Sequence, residues 1–283
     1  DYFKAQMASY ATKPAALPMA KVPALDTAGA DAVMRLSAPG MNNYFHGVWE
    51  CLPLLIPAHK AGFKGEISLR SAVGAMPGFM RGFIDLVFPD LAAQITLDQI
   101  RPKTDGPDAG DYEDFYALME WNTYAELAPE STLDIGMSIE DTPRDPYSLH
   151  DQFAYFFGIS NSFSVLQKEF RDLAVAAIKD RDSSHLPKRF CISRKGSVRR
   201  PAMKGEEQLV AELIPLGFGE VQLETLSPAD QVALFHNAEV VVGQHGAGMT
   251  HMMFCGPQPT VLAIGHGQTI TRWRTFHQMA AAA

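Results

Sequence analysis

The stretch AEVVVGQHGAG, residues 238–248, decides the fold. Its first half is apolar and β-branched with no polar alternation, the composition of a parallel strand buried on both faces. QHGAG is then the turn at the carboxyl end of that strand, and a helix is expected to follow from Met249. In open α/β sheets, ligands bind just outside the carboxyl ends of the strands. Glycines let backbone approach a ligand closely, and the free N–H groups of a following helix favour an anion. His245 can donate to a phosphate or, if protonated, balance its charge. A phosphate cradle therefore fits the loop, and so does a plain tight turn, which α/β folds use widely. No GKS or GKT follows, so this is not a Walker A loop, and it is not GxGxxG either. HGAG strings also form the oxyanion hole of esterases, but that chemistry needs a GxSxG nucleophile elbow, and the sequence has none.

Working outward, the second half repeats strand and helix. RFCIS, 189–193, reads as a strand; 206–216 as a helix closed by Gly217 and Gly219; 220–223 as a short strand. Ser227-Pro228 reads as an N-cap followed by proline at the first helical position, opening a helix to about Asn237. Residues 260–264 form the last clear strand, and Met249 to Phe254 read as core. This order implies a doubly wound sheet. The first half gives strands near 32–36, 66–69 and 94–97, with helical material near 79–88. NNYFHGVWECLPLLIPAHK, 42–60, reads as one helix capped by Asn42 or Asn43 and kinked or ended by Pro53 and Pro57. Residues 101–114 and 141–151 are rich in breakers, and 152–181 reads as a long helix leading onward. Two α/β halves, 1–160 and 161–283, facing across a cleft are the expectation.

A length of 283 residues suits one large domain or two ordinary ones. The charge of −8, from 24 Lys+Arg against 32 Asp+Glu, argues against a duplex nucleic-acid partner. No run of about 18 apolar residues occurs, so no membrane-spanning helix is expected in this segment. The start, DYFKAQMASY, has no signal-peptide core and no initiator Met, so the sequence reads as part of a longer protein. Cys51, Cys191 and Cys255 are too widely spaced for a metal pair and fit unpaired thiols in a reducing compartment. The histidines show no metal-ligand spacing, so no metal is expected. A cytoplasmic, bacterial setting is the corresponding expectation, with membrane association left open.

The strand at 189–193 runs into RKGSVRR, four cations within seven residues of an acidic protein. They sit at the same sheet edge as the glycine loop. Arg194 and Arg200 are placed to clamp a diphosphate bidentately; a solvated charged loop would look the same.

Taken in order, the strand ending in Arg194, the downstream Arg200, LSPADQ at 226–231 and the strand into His245-Gly246-Ala247 resemble glycosyltransferase family 61. NYFH at 43–46, with Glu50 and Leu52-Pro53, resembles that family's first-half segment. The resemblance implies a GT-B-like arrangement of two Rossmann-like domains. It implies an inverting transfer from a nucleotide-sugar, commonly a UDP-sugar, to a glycan or glycoconjugate acceptor, with no cofactor and no essential metal. Arg194, Arg200, His245, Gly246, Ala247 and Gly248 would face the donor diphosphate, while Gln231 would anchor its helix. Two positions depart from the family pattern. Lys204-Gly205-Glu206 stands where Asn-Glu is common, and Ala263 stands where a glutamate often ends the last strand. The second departure motivates one alternative, a non-catalytic nucleotide-sugar-binding scaffold; an α/β hydrolase using HGAG is another.

An inverting transfer needs one base for the acceptor hydroxyl. His46 and Glu50, four apart on one helix face, are the candidate pair, Glu50 orienting His46. His150 and Asp151 are secondary candidates.

Overall fold

The computed structural model describes residues 29–37, 41–71, 74–99, 125–128, 131–133, 161–197 and 202–265. It is a mixed α/β protein built on two sheets. In the first half, β1 (Val33–Ser37), β2 (Glu66–Ser71) and β3 (Ile95–Gln99) pair in parallel. Two strands not expected from the sequence, β4 (Ala125–Ala128) and β5 (Ser131–Leu133), extend this sheet antiparallel beside β1. The order is β3-β2-β1-β4-β5.

The single helix expected over 42–60 is instead three pieces: a π-helical turn His46–Cys51, a 3-10 turn Leu52–Leu55, and α1, Ile56–Ala61. Pro53 is the cause. It has no N–H for the carbonyl four residues back and its ring crowds that carbonyl. The orphaned oxygen belongs to Trp49, and the side chain of Gln167 donates to it at 2.9 Å. Asn43 supplies the cap, its side chain accepting from Phe45 N–H at 3.0 Å.

Helix α2 (Gly78–Val87) follows β2, and α3 (Asn161–Ala177) joins the two halves. The expected helix over 152–160 lies outside the described residues. Phe170 of α3 packs on Phe83 and Phe88 of the first half and on Phe254 of the second. Arg171 of α3 donates to Cys255 O, and Lys60 pairs with Glu169. One hydrophobic core therefore runs between the sheets, centred on Phe83, Phe88, Phe170, Phe235 and Phe254, all fully buried. Gly82 marks how close the halves come: a side chain there would run into Pro228.

The second sheet is wholly parallel, as the doubly wound reading requires. It contains β6 (Arg189–Ile192), β7 (Gly219–Val221), β8 (Val240–Gln244) and β9 (Thr260–Ile264), in the order β7-β6-β8-β9. Side chains alternate across it. Phe190 and Val241 face the main core, while Cys191 and Val242 pack under Val210 of α4 (Glu206–Leu213). Pro215 turns the end of that helix into 3-10, and Gly217 closes it; Gly219 opens β7 instead. Helix α5 (Pro228–His236) starts as expected: Ser227 Oγ accepts from Asp230 N–H, and its hydroxyl donates to the Asp230 carboxylate.

Candidate functional site

Strand order locates the site. The chain leaves β6 for β7 on one side and returns to β8 on the other, so the carboxyl ends of β6 and β8 border the point where the winding reverses. Such switch points are where open α/β sheets bind ligands. Arg194 lies just past β6 and the 243–248 loop just past β8, and the register that sets Ile192 beside Gly243 brings the two together.

Arg194 Nη2 donates to His245 O at 3.0 Å. Its guanidinium crosses the face of Gly246, where any side chain would collide with it. Gly246 has φ 156° and ψ −170°, a region essentially reserved for glycine. His245 N–H donates to Ile264 O at 2.7 Å, which fixes the start of the loop to β9. Met249 N–H returns to Gly246 O at 2.9 Å and opens a 3-10 helix, Ala247–Phe254. Between them, the amides of Ala247 and Gly248 find no acceptor among the described residues. A guanidinium beside two unclaimed N–H groups is an arrangement suited to an anion.

The Arg194 turn is held from behind by a residue the sequence reading did not single out. Glu206, at the first position of α4 and 4% exposed, accepts from Arg194 N–H at 2.8 Å and from Ser193 Oγ at 3.1 Å. Lys195 N–H donates in turn to Ser193 Oγ. The second Glu206 oxygen is buried and has no hydrogen-bond partner among the described residues. The only signal in the sequence was its place in the departing Lys204-Gly205-Glu206 stretch. Negative charge at a helix start is favourable, and nothing local pointed to a turn twelve residues earlier.

Gln231 anchors structure, as expected. Its amide nitrogen donates to Leu223 O at 2.8 Å and Leu226 O at 3.2 Å. These two carbonyls settle which end of the amide is nitrogen. Its oxygen then faces Tyr44 OH at 3.1 Å and His251 Nε2 at 3.0 Å. His251, read from sequence as plain core, is stacked between Tyr44 and Phe235, at 4.4 and 4.9 Å. Its Nδ1 lies 2.9 Å from Gly248 O. Burial pushes the His251 pKa down to about 4, against the pull of the Gly248 carbonyl. Burial likewise raises Tyr44 well above its usual range, so its phenol stays protonated and donates.

The other expected residues are placed as follows. His46 begins the π-helical turn, half-buried, its ring edge-on to Phe45 at 5.1 Å. The side chain of Glu50 lies outside the described residues, as do Arg200, His150 and Asp151, so the His46–Glu50 pairing has no described geometry. All three cysteines are buried, and none is in a disulfide. Burial and the carboxylates of Glu206 and Glu220 raise Cys191 to about 11, and burial raises Cys255 to about 12. Among the described residues no three His, Cys, Asp or Glu side chains converge as a metal site would require, and no helix is long and apolar enough to cross a membrane.

A family model described as Glycosyltransferase 61 matches residues 44–262, a span that takes in Tyr44, Arg194, Gln231, the glycine loop and most of β9. No curated protein matches the chain.

Proposed function

The chain belongs to glycosyltransferase family 61, and from that premise we propose that it transfers a sugar, with inversion, from a nucleotide-sugar of the UDP class to a glycan or glycoconjugate hydroxyl, without a metal or other cofactor. The observation that carries the reading is the Arg194 guanidinium bonded to His245 O beside the open amides of Ala247 and Gly248. In this reading the donor diphosphate lies in that cradle, with Arg200 and the His245 ring as further contacts. As the acceptor oxygen bonds to the anomeric carbon, the bond to the diphosphate breaks and its charge grows. Fixed donors aimed at that charge lower the barrier.

His46 is the proposed base, oriented by Glu50. It takes the acceptor proton on the face opposite the leaving group. Tyr44, two residues earlier, packs on the ring of His251, three residues beyond Gly248. That contact supports bringing the His46 segment to the donor loop. A GT-B-like division into an acceptor side, 1–160, and a donor side, 161–283, fits the two sheets. Three cysteines outside any disulfide fit a cytoplasmic setting. Family membership leaves the hydrolase reading without support.

The test is calorimetric titration with UDP-, GDP- and CMP-sugars, followed by product analysis. At least one should bind and turn over, and Arg194→Ala and His245→Ala should each weaken it by about tenfold or more, the loss of one charge-assisted hydrogen bond. If no nucleotide-sugar binds, the cradle is misread. Binding without turnover across acceptors would overturn the catalytic part and favour a scaffold.

A further inference from the structure

Three segments far apart in sequence meet at one buried polar point. Tyr44 comes from the first half, Gln231 from α5, and His251 from the 3-10 helix after the glycine loop. Gln231 is pinned by two backbone carbonyls, so its oxygen is a fixed acceptor for the other two. His251 is stacked on both faces by rings, and each nitrogen faces an oxygen at 2.9 or 3.0 Å, only one of which the neutral ring can hydrogen-bond. A ring packed on both faces and tethered through one nitrogen has little room to shift, because protein interiors are close-packed with few voids.

Resting on the reading of the loop as the donor cradle, we propose that His251 is its positioning residue: it donates to the Gly248 carbonyl through Nδ1 and is itself held between the Tyr44 and Phe235 rings, with Nε2 turned toward Gln231, so that the Gly246–Gly248 backbone stays set for the donor. Gly248 lies only two residues from Gly246, which carries the strained dihedrals and the Arg194 contact. The loop's other end is fixed at His245, by its N–H on Ile264 O and by Arg194 Nη2 on its carbonyl. His251 supplies the second anchor. It also ties the loop to the segment that carries His46, since Tyr44 lies in both the network and that segment. A neutral imidazole donates from only one nitrogen, yet both nitrogens here face acceptors, so the two contacts make separable contributions.

Two substitutions separate them. The amide of asparagine reaches where Nδ1 stood, and that of glutamine reaches where Nε2 stood. His251→Asn retains the Gly248 contact; His251→Gln retains the Gln231 contact and releases the loop. Both lose the stacked ring. Two readouts are measured on each folded variant: amide hydrogen exchange over residues 244–250, and the Kd for the nucleotide-sugar that binds the wild type. Exchange should be faster in His251→Gln than in His251→Asn, and its Kd about tenfold higher, the worth of one hydrogen bond. Equal exchange and equal Kd in the two variants overturn the positioning role, because a merely structural histidine would weaken both alike. If exchange separates them while no nucleotide-sugar binds even the wild type, His251 positions the loop and the donor reading is what fails. Should either variant not fold, Tyr44→Phe keeps the ring stack and removes only the hydroxyl. Exchange in the loop must then rise above wild type, and unchanged exchange overturns the relay.

Discussion

Acid should weaken this protein through His251 in particular. The imidazole titrates near 6.5 in an unfolded chain and at about 4 in the fold, where burial disfavours its charged form. Between those values the unfolded state binds the proton and the folded state does not. Stability is therefore complete above pH 6.5 and drains away as pH falls toward 4. At about 1.4 kcal/mol per unit, the full gap amounts to about 3 kcal/mol, of which about 2.5 kcal/mol is spent by pH 4.5. That is a large fraction of an ordinary domain's stability. Urea unfolding followed by tryptophan fluorescence at pH 7.5, 6.5, 5.5 and 4.5 measures it, with His251→Asn as the reference. The carboxylates of Asp172 and Asp230, held low by their basic neighbours and by hydrogen bonds, titrate alike in both proteins. The difference in slope between the two curves isolates the ring. Wild type should lose about 2.5 kcal/mol more than the variant over that range. Parallel curves would refute the reasoning. A wild type that gains on the variant as pH falls would mean more: that the two oxygens facing the ring, on Gly248 and Gln231, outweigh burial and keep it charged.

Two further outcomes follow from the geometry. Gly246→Ala places a methyl against the Arg194 guanidinium and a side chain in a backbone region that favours glycine alone. It should cost about 1–3 kcal/mol and weaken donor binding; adding Arg194→Ala should relieve only the collision, and an unaltered melting temperature in Gly246→Ala would contradict the loop conformation. Phe83→Ala removes a ring stacked 5.8 Å from Phe254 across the junction of the halves. It should cost about 3–5 kcal/mol and lower one cooperative transition in calorimetry, whereas two transitions, only one of them moved, would show that the halves fold separately.

What the sequence made legible was local. β8 is readable because Val240, Val241 and Val242 declare burial on both faces, and the glycines after them declare a turn. Ser227 is readable because a cap and its helix are neighbours. The failures share the opposite property. Pro53 announces a break in 42–60, but not that the freed Trp49 carbonyl finds its donor in Gln167, on α3. β4 and β5 are short, and they exist through pairing, β4 with β1 about ninety residues upstream and β5 with β4. Glu206 looks like any acidic residue opening a helix until the end of β6 is folded against it.

His251 is the sharpest case. Set among Met249, Met252, Met253 and Phe254, it has the surroundings of a core residue, and it is one: fully buried and stacked on both faces. Burial and chemistry are not alternatives here. The imidazole stays neutral because it is buried, and a neutral imidazole has one proton for two oxygens. The same contact set that makes it look like packing gives it unequal claims on Gly248 and Gln231. A substitution that preserves volume but moves that proton should therefore change the loop, and a substitution that preserves the proton's position but reduces volume should change mainly stability. Separating these two effects is what distinguishes a residue that fills space from one that sets the donor loop.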